Sequence, residues 1–227
     1  MALAAARRRQ LRLTRAVALT LLFVAAGCRG SGMGRLLTPN PADLERAAPD
    51  SFVVTFATSR GAFDVLVRRA WAPRGVDRLH YLVNAHYYDG VRFFRVVKGF
   101  VAQFGLHGDT AVGNTWRTRR FADDSVHVSN ARGTLTFATG GPNTRTTQLF
   151  LNLADNRRLD ATGFAPLGAI VSGMAVVDSL YNGYGEGAPR GAGPEQGRLA
   201  REGNAYLVAA FPKLDSIVTA SVARHWP

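Results

Sequence analysis

The stretch from Phe93 to Gly105, F-F-R-V-V-K-G-F-V-A-Q-F-G, sets one cation, Arg95, among aromatic and β-branched residues. Such residues favour a strand. Strand alternation places Phe93, Arg95 and Val97 on one face and Phe94 and Val96 on the other. Lys98-Gly99 interrupts the run, and Phe100-Val101-Ala102-Gln103-Phe104 resumes it, with Gln103 again a polar residue among apolar ones. A half-buried arginine is costly unless it is paired or used. Taken alone, the stretch is either a strand-edge arginine whose head reaches water or a cation put to work.

Other chemistries find little support. No G-x-S-x-G elbow occurs, so a hydrolase nucleophile has no setting. The five histidines (His80, His86, His107, His127, His225) are never three or four residues apart and have no cysteine near them. A zinc site is not expected. The glycine-rich segment 183–194 carries neither G-x-x-x-x-G-K-[ST] nor G-x-G-x-x-G, so it is no phosphate cradle. His107-Gly108-Asp109 reads either as an acid–base pair or, among glycines, as a turn. What remains is a cation, some amides and aromatic walls, with no metal and no cofactor expected.

The elements that must position these residues fit in one domain of ordinary size. The chain has 227 residues, 47% apolar and 19% charged, which describes a globular protein. Of its 28 basic residues only Lys98 and Lys213 are lysines. The net charge is +12, and five arginines (Arg7, Arg8, Arg9, Arg12, Arg15) precede Cys28, so the remainder carries 12 − 5 = +7. The basic residues are scattered rather than clustered on one face, and nucleic-acid binding is not expected.

Residues 1–27 read as a signal segment. A basic region precedes an apolar run of eleven residues, Ala16 to Ala26, too short to span a bilayer and the right length for a signal-peptide core. It ends in Ala25-Ala26-Gly27 before Cys28, the one cysteine of the chain. This resembles the lipobox of bacterial lipoproteins, in which the cysteine carries lipid, although Ala25 stands where leucine is usual. A lipid-anchored protein exported to the cell envelope is expected, facing the periplasm or the exterior. An ordinary signal peptide cut nearby is the alternative. Residues 28–50 read as a flexible linker broken by Gly30, Gly32, Gly34, Pro39, Pro41 and Pro49. The domain, with a C-terminal extension, then occupies 51–227.

Within it, 52–58 and 62–67 read as a hairpin. Pro73 opens a helix that places Val76, Leu79, Leu82 and Val83 on a core face. Strands are expected at 93–97, 100–104, 133–138, 148–153, 167–171 and 217–222. Residues 174–180 read as a short helix, 196–210 as a longer one, and 106–131 as irregular. Many short strands with few helices predict a mainly β fold, a closed or nearly closed antiparallel barrel.

Two segments together resemble one family. The first stretch fits F-x-R-[VI]-[VI]-x-G-F-x-x-Q. The run G-T-L-T-F-A-T-G-G-P-N-T-R-T-T-Q-L-F, Gly133 to Phe150, fits a second motif in the right order and at a suitable distance. Both are similar to the cyclophilins, the peptidyl-prolyl cis-trans isomerases. Leu159-Asp160, the run Phe164 to Gly168 and the run Met174 to Asp178 continue the likeness. The resemblance implies an eight-stranded antiparallel β-barrel capped by two helices. It implies that Arg95 is the catalytic arginine. It implies substrate contacts at Phe100, Val101, Gln103, Ala138, Thr139, Gly140, Gln148, Phe150, Leu159 and Phe164. Thr139 replaces a frequent Asn, in a segment that binds mainly through its backbone. Arg158 stands where many eukaryotic members carry a Trp, so weak cyclosporin binding is expected. The partners implied are proline-containing polypeptides, met by a monomer, with assistance to the folding of exported proteins as the role. A binding module or holdase that keeps the pocket without catalysis is the alternative, separated from the enzyme by whether Arg95 matters.

These residue types suit that reaction. Rotation about an X–Pro bond destroys amide resonance, with a barrier of about 18–20 kcal/mol, yet breaks no covalent bond. The catalyst must bind the twisted state better than either planar one. In that state the proline nitrogen regains a lone pair, and a guanidinium, charged at any working pH, can donate to it.

Overall fold

The computed structural model describes residues 28–226, so the signal-like segment 1–27 lies outside the described residues. The chain enters through two helices, α1 (Cys28–Leu37) and α2 (Pro41–Leu44). The glycines and prolines of 28–50 predict no regular element there, and this expectation is corrected. Docking outweighs propensity. Leu36 is buried, its carbonyl accepts from Trp116 Nε1 at 2.8 Å, and the Arg35 carbonyl accepts from the Tyr81 hydroxyl at 2.9 Å. Asn40 caps α2 by accepting from the Ala42 amide at 3.1 Å.

The hairpin β1 (Ser51–Thr58) and β2 (Gly61–Arg68) follows as predicted. Its register sets Phe56 opposite Phe63, and the two rings stack with centroids 5.0 Å apart. Helix α3 (Pro73–Asn84) starts on its proline and buries Val76, Leu79, Leu82 and Val83, the four residues its period indicated. Strands β3 (Arg95–Val97) and β4 (Val101–Phe104) form the site-bearing hairpin. The alternation expected over 93–97 holds only from Arg95, where β3 begins. Phe93 and Phe94 are both buried, Phe93 in the main core and Phe94 in a separate cluster.

Helix α4 (Thr110–Trp116) lies in the segment expected to be irregular. Two buried anchors, Val112 and Trp116, and a cap make it. Asp109 accepts from the amides of Ala111 and Val112 at 2.8 and 3.3 Å, so His107-Gly108-Asp109 is a turn that ends in a helix cap. Strands β5 (Thr134–Phe137), β6 (Leu149–Asn152) and β7 (Pro166–Ser172) come next, with helix α5 (Met174–Asp178) on β2. The helix expected over 196–210 is two helices, α6 (Gln196–Glu202) and α7 (Asn204–Ala210). Gly203 breaks it at φ 63° and ψ −151°, against the Gly108 carbonyl, which a Cβ there would meet at 2.2 Å. Strand β8 (Ile217–Trp226) closes the order.

The eight strands form one antiparallel sheet in the order β3-β4-β6-β5-β7-β2-β1-β8. The sheet curls until its ends meet. The Gly90 amide donates to the Ile217 carbonyl, the Ile217 amide to the Val91 carbonyl and the Phe93 amide to the Asp215 carbonyl, at 2.8–3.0 Å. The predicted eight-stranded antiparallel barrel is therefore present. The two capping helices that the resemblance implies are α3 and α5, but the described residues hold seven α-helices, the others serving the N-terminal segment, the loop after β4 and the C-terminal extension.

One ion pair ties α3 to the loop that leads into β6. Asp124 takes the amides of Arg74 and Gly75 at the start of α3, at 2.9 and 2.8 Å, and meets Arg145 Nη1 at 3.1 Å. Both side chains are almost wholly buried. Removing Asp124 strips the acceptor from both amides and leaves the buried Arg145 with only the partly exposed Asp123, 3.0 Å away, for its charge. Asp124→Ala is therefore expected to lower unfolding stability by about 3–5 kcal/mol in a urea titration.

Candidate active site

Strand register builds the site. Arg95 on β3 faces Gln103 on β4, and Gln103 faces Phe150 on β6. Three residues distant in sequence thus form one row across the sheet. Their neighbours Val96, Ala102, Leu149 and Leu151 belong to the barrel core, so alternation sends the row to the opposite face.

The row has a strict donor order. A guanidinium only donates, and Arg95 Nη1 donates to Gln103 Oε1 at 3.0 Å. Gln103 must then turn its amino group outward, and Nε2 donates to Gln148 Oε1 at 2.8 Å. Gln103 is buried, and the Arg95 side chain is only 17% exposed. The arginine is fixed in a half-dry place rather than reaching to water. The Phe100 ring lies beneath it, 5.4 Å from the guanidinium carbon, and Arg158 approaches the same ring at 4.7 Å.

A cavity of about 150 Å³ opens over the row, lined by Arg95, Phe100, Val101, Gln103, Ala138, Thr139, Phe150, Leu159 and Phe164. Sites for larger ligands run to about 300–1,000 Å³, so this one suits a single small ring. The structure thus brings together the expected arginine and eight of the ten expected contact residues. Gly140 and Gln148 line a neighbouring cavity of about 340 Å³ with Arg117, Arg120 and His107. The hydroxyl of Thr139 is used within its own loop, donating to the Gly141 carbonyl and meeting Thr144 Oγ1 at 2.9 Å. The place where an Asn is frequent is thus spent on holding the loop.

A buried polar frame sets the walls. Asn130 Nδ2 donates to the Phe164 carbonyl and to Asp160 Oδ1, each at 2.8 Å. Asn156 Nδ2 donates to the Phe100 carbonyl at 2.9 Å, and the Asn156 carbonyl accepts the Leu159 amide. Phe150 and Phe164 meet edge to face at 5.6 Å. Sequence reasoning missed Asn130 and Asn156, whose isolated amides carry no pattern.

It also missed Glu186. This residue grips Arg95 from the side away from Gln103, accepting from Nε at 2.6 Å and Nη2 at 2.7 Å. The available signal was that Glu186 is the one acid in the glycine-rich segment 183–194.

A family model for the cyclophilin type peptidyl-prolyl cis-trans isomerase/CLD matches residues 53–194. The chain belongs to the cyclophilin-type peptidyl-prolyl cis-trans isomerases. Among its relatives, a peptidyl-prolyl cis-trans isomerase of Acinetobacter baylyi is 30% identical over 135 residues, 57% of this chain and 72% of that protein. Peptidyl-prolyl cis-trans isomerase A of Dickeya dadantii is 33% identical over 141 residues, 59% of this chain and 73% of that protein. The crystal structure of a cyclophilin from Cryptosporidium parvum shares the fold, with TM-score 0.58 and 18% identity over 78% of this chain and 99% of the other. In this cyclophilin the Glu186 grip and the Gln103 bond hold Arg95 from two sides. Among the described residues no group of histidine, cysteine and acidic side chains could hold a metal ion.

The hydrogen bonds from Arg95, with its charge and the Gly187 amide, hold the Glu186 carboxyl below its ordinary range against partial loss of water. A depressed carboxyl stabilises the fold fully above the unfolded value and loses that contribution as pH falls through the folded one. Urea midpoints of wild type and Glu186→Gln should therefore differ at neutral pH and converge below the ordinary carboxylate range.

Proposed function

We propose that this cyclophilin isomerises X–Pro bonds in exported polypeptides, held to a membrane by lipid on Cys28. The observation that carries the catalytic part is the held Arg95 beside a cavity of one ring's size. The proline ring enters between Phe100, Phe150, Leu159 and Phe164, while the backbone of Ala138 and Thr139 runs beside the substrate chain. Arg95 has five N–H donors, and Glu186 and Gln103 take three of them. Two remain, one on each terminal nitrogen, for the proline nitrogen as it pyramidalises. The apolar walls lower the local dielectric and strengthen that bond. A related crystal structure from Cryptosporidium parvum was obtained in the presence of the dipeptide Ala-Pro, which supports proline-containing substrates here.

A charge-assisted hydrogen bond of about 1.5–3 kcal/mol supplies roughly one to two decades of rate. Arg95→Ala is expected to lose about 10–100-fold of kcat/KM in a proline-limited peptide assay, and equal rates would sink the catalytic role.

Export rests on the basic and apolar order of residues 1–27 and on the small residues before Cys28. No helix among the described residues is long and apolar enough to cross a membrane. Two acyl chains would give stable attachment where one gives only marginal binding. Labelled fatty acid should enter the wild type and not Cys28→Ala; label retained in the variant would refute the anchor.

A further inference from the structure

The C-terminal extension packs against the residue that precedes Arg95. Its two helices gather Leu199, Tyr206 and Leu207 around Phe94, the residue next to Arg95. Its tail returns through Phe211, which meets Tyr184 edge to face at 5.0 Å. Tyr184 is two residues from Glu186. The family model ends at residue 194, before these helices begin.

The loop between is braced rather than loose. The Gly193 amide donates to the Glu186 carbonyl at 2.8 Å. A Cβ on Gly191 would lie 2.4 Å from that carbonyl, and one on Gly193 at 2.8 Å. The Gly187 amide donates to Glu186 Oε1 at 3.0 Å, so the carboxylate is aimed before it meets the arginine.

We propose that Glu186 is a positioning residue for the isomerase reaction, and that the segment from Tyr184 to Phe211 is a bracket that holds Arg95 in its reactive orientation. The proposal rests on the reading of Arg95 as the catalytic group. The bidentate grip fixes the plane of the guanidinium, because both oxygens bind one edge. Gln103 alone, through one bond at Nη1, leaves that plane free to turn. The grip does not remove the charge, since arginine stays protonated, and Glu186 keeps 34% of its side chain in contact with solvent, which screens it. Freezing the side chain beforehand spares the transition state that ordering cost.

Three activity variants, and one proton signal assigned with a fourth, test this, with unfolding midpoints taken for each variant to establish that it is folded. Glu186→Ala should lower kcat about tenfold with KM little changed, the mark of lost orientation. Glu186→Gln, which keeps one acceptor, should fall between it and wild type. Gly191→Ala keeps the Glu186 side chain but pushes its backbone aside, moving the carboxylate off the arginine, and should lower kcat like the alanine variant. The Arg95 Nε proton, assigned by its loss in Arg95→Lys, should be slow to exchange with water in wild type and fast in Glu186→Ala. Unchanged or raised kcat in folded Glu186→Ala would overturn the bracket, a raised value meaning that the carboxylate competes with substrate. An inactive wild type would instead overturn the isomerase reading and this proposal with it.

Discussion

A guanidinium that cannot accept a hydrogen bond and cannot lose its charge dictates what surrounds it. Arg95 sits half-buried, so acceptors must converge on it from several parts of the chain. Gln103 comes from the next strand and Glu186 from a loop ninety-one residues away. Gln103 in turn needs an acceptor for its own amino group, which brings in Gln148. The walls of the cavity follow from the same demand, because the ring beneath the cation must be held flat and dry. Phe100 is held by its carbonyl, which accepts from Asn156 Nδ2 and the Leu153 amide.

The row of Arg95, Gln103 and Phe150 was legible through the two motifs of the resemblance, and antiparallel pairing explains why its members meet. Once β3 and β4 form a tight hairpin, Arg95 and Gln103 face each other, and alternation then sorts core from site. The second motif placed Phe150 on the next strand, where the pairing of β4 with β6 makes it the third member. Helix α3 was legible by its four core residues, and the hairpin of β1 and β2 by its β-branched and aromatic runs.

What escaped the sequence depends on contacts between distant segments. The helix at α1 has glycines at Gly30, Gly32 and Gly34 and no local reason to form. Its support is Trp116, which lies in a segment that itself carries little periodic signal. Each of the two elements makes sense only in the presence of the other. Glu186 escaped for the same reason: a glycine-rich loop has no period, and the aim of its carboxylate is set by Gly187, Gly191 and Gly193 rather than by its neighbours' types. Gly203 splits the last helical pair because another backbone passes too close for a side chain, which no helical pattern records.

The docking of α1 changes what the residues after Cys28 do mechanically. A free chain of about twenty residues would wander over roughly 25 Å and turn in any direction. Here the chain is fastened to the domain from Arg35 onward, through Tyr81, Asn84 and Trp116. The stretch acts as a mounting rather than a leash. A pull on the chain at Arg35 would therefore turn the whole domain, and the mouth of the cavity with it, rather than play out slack.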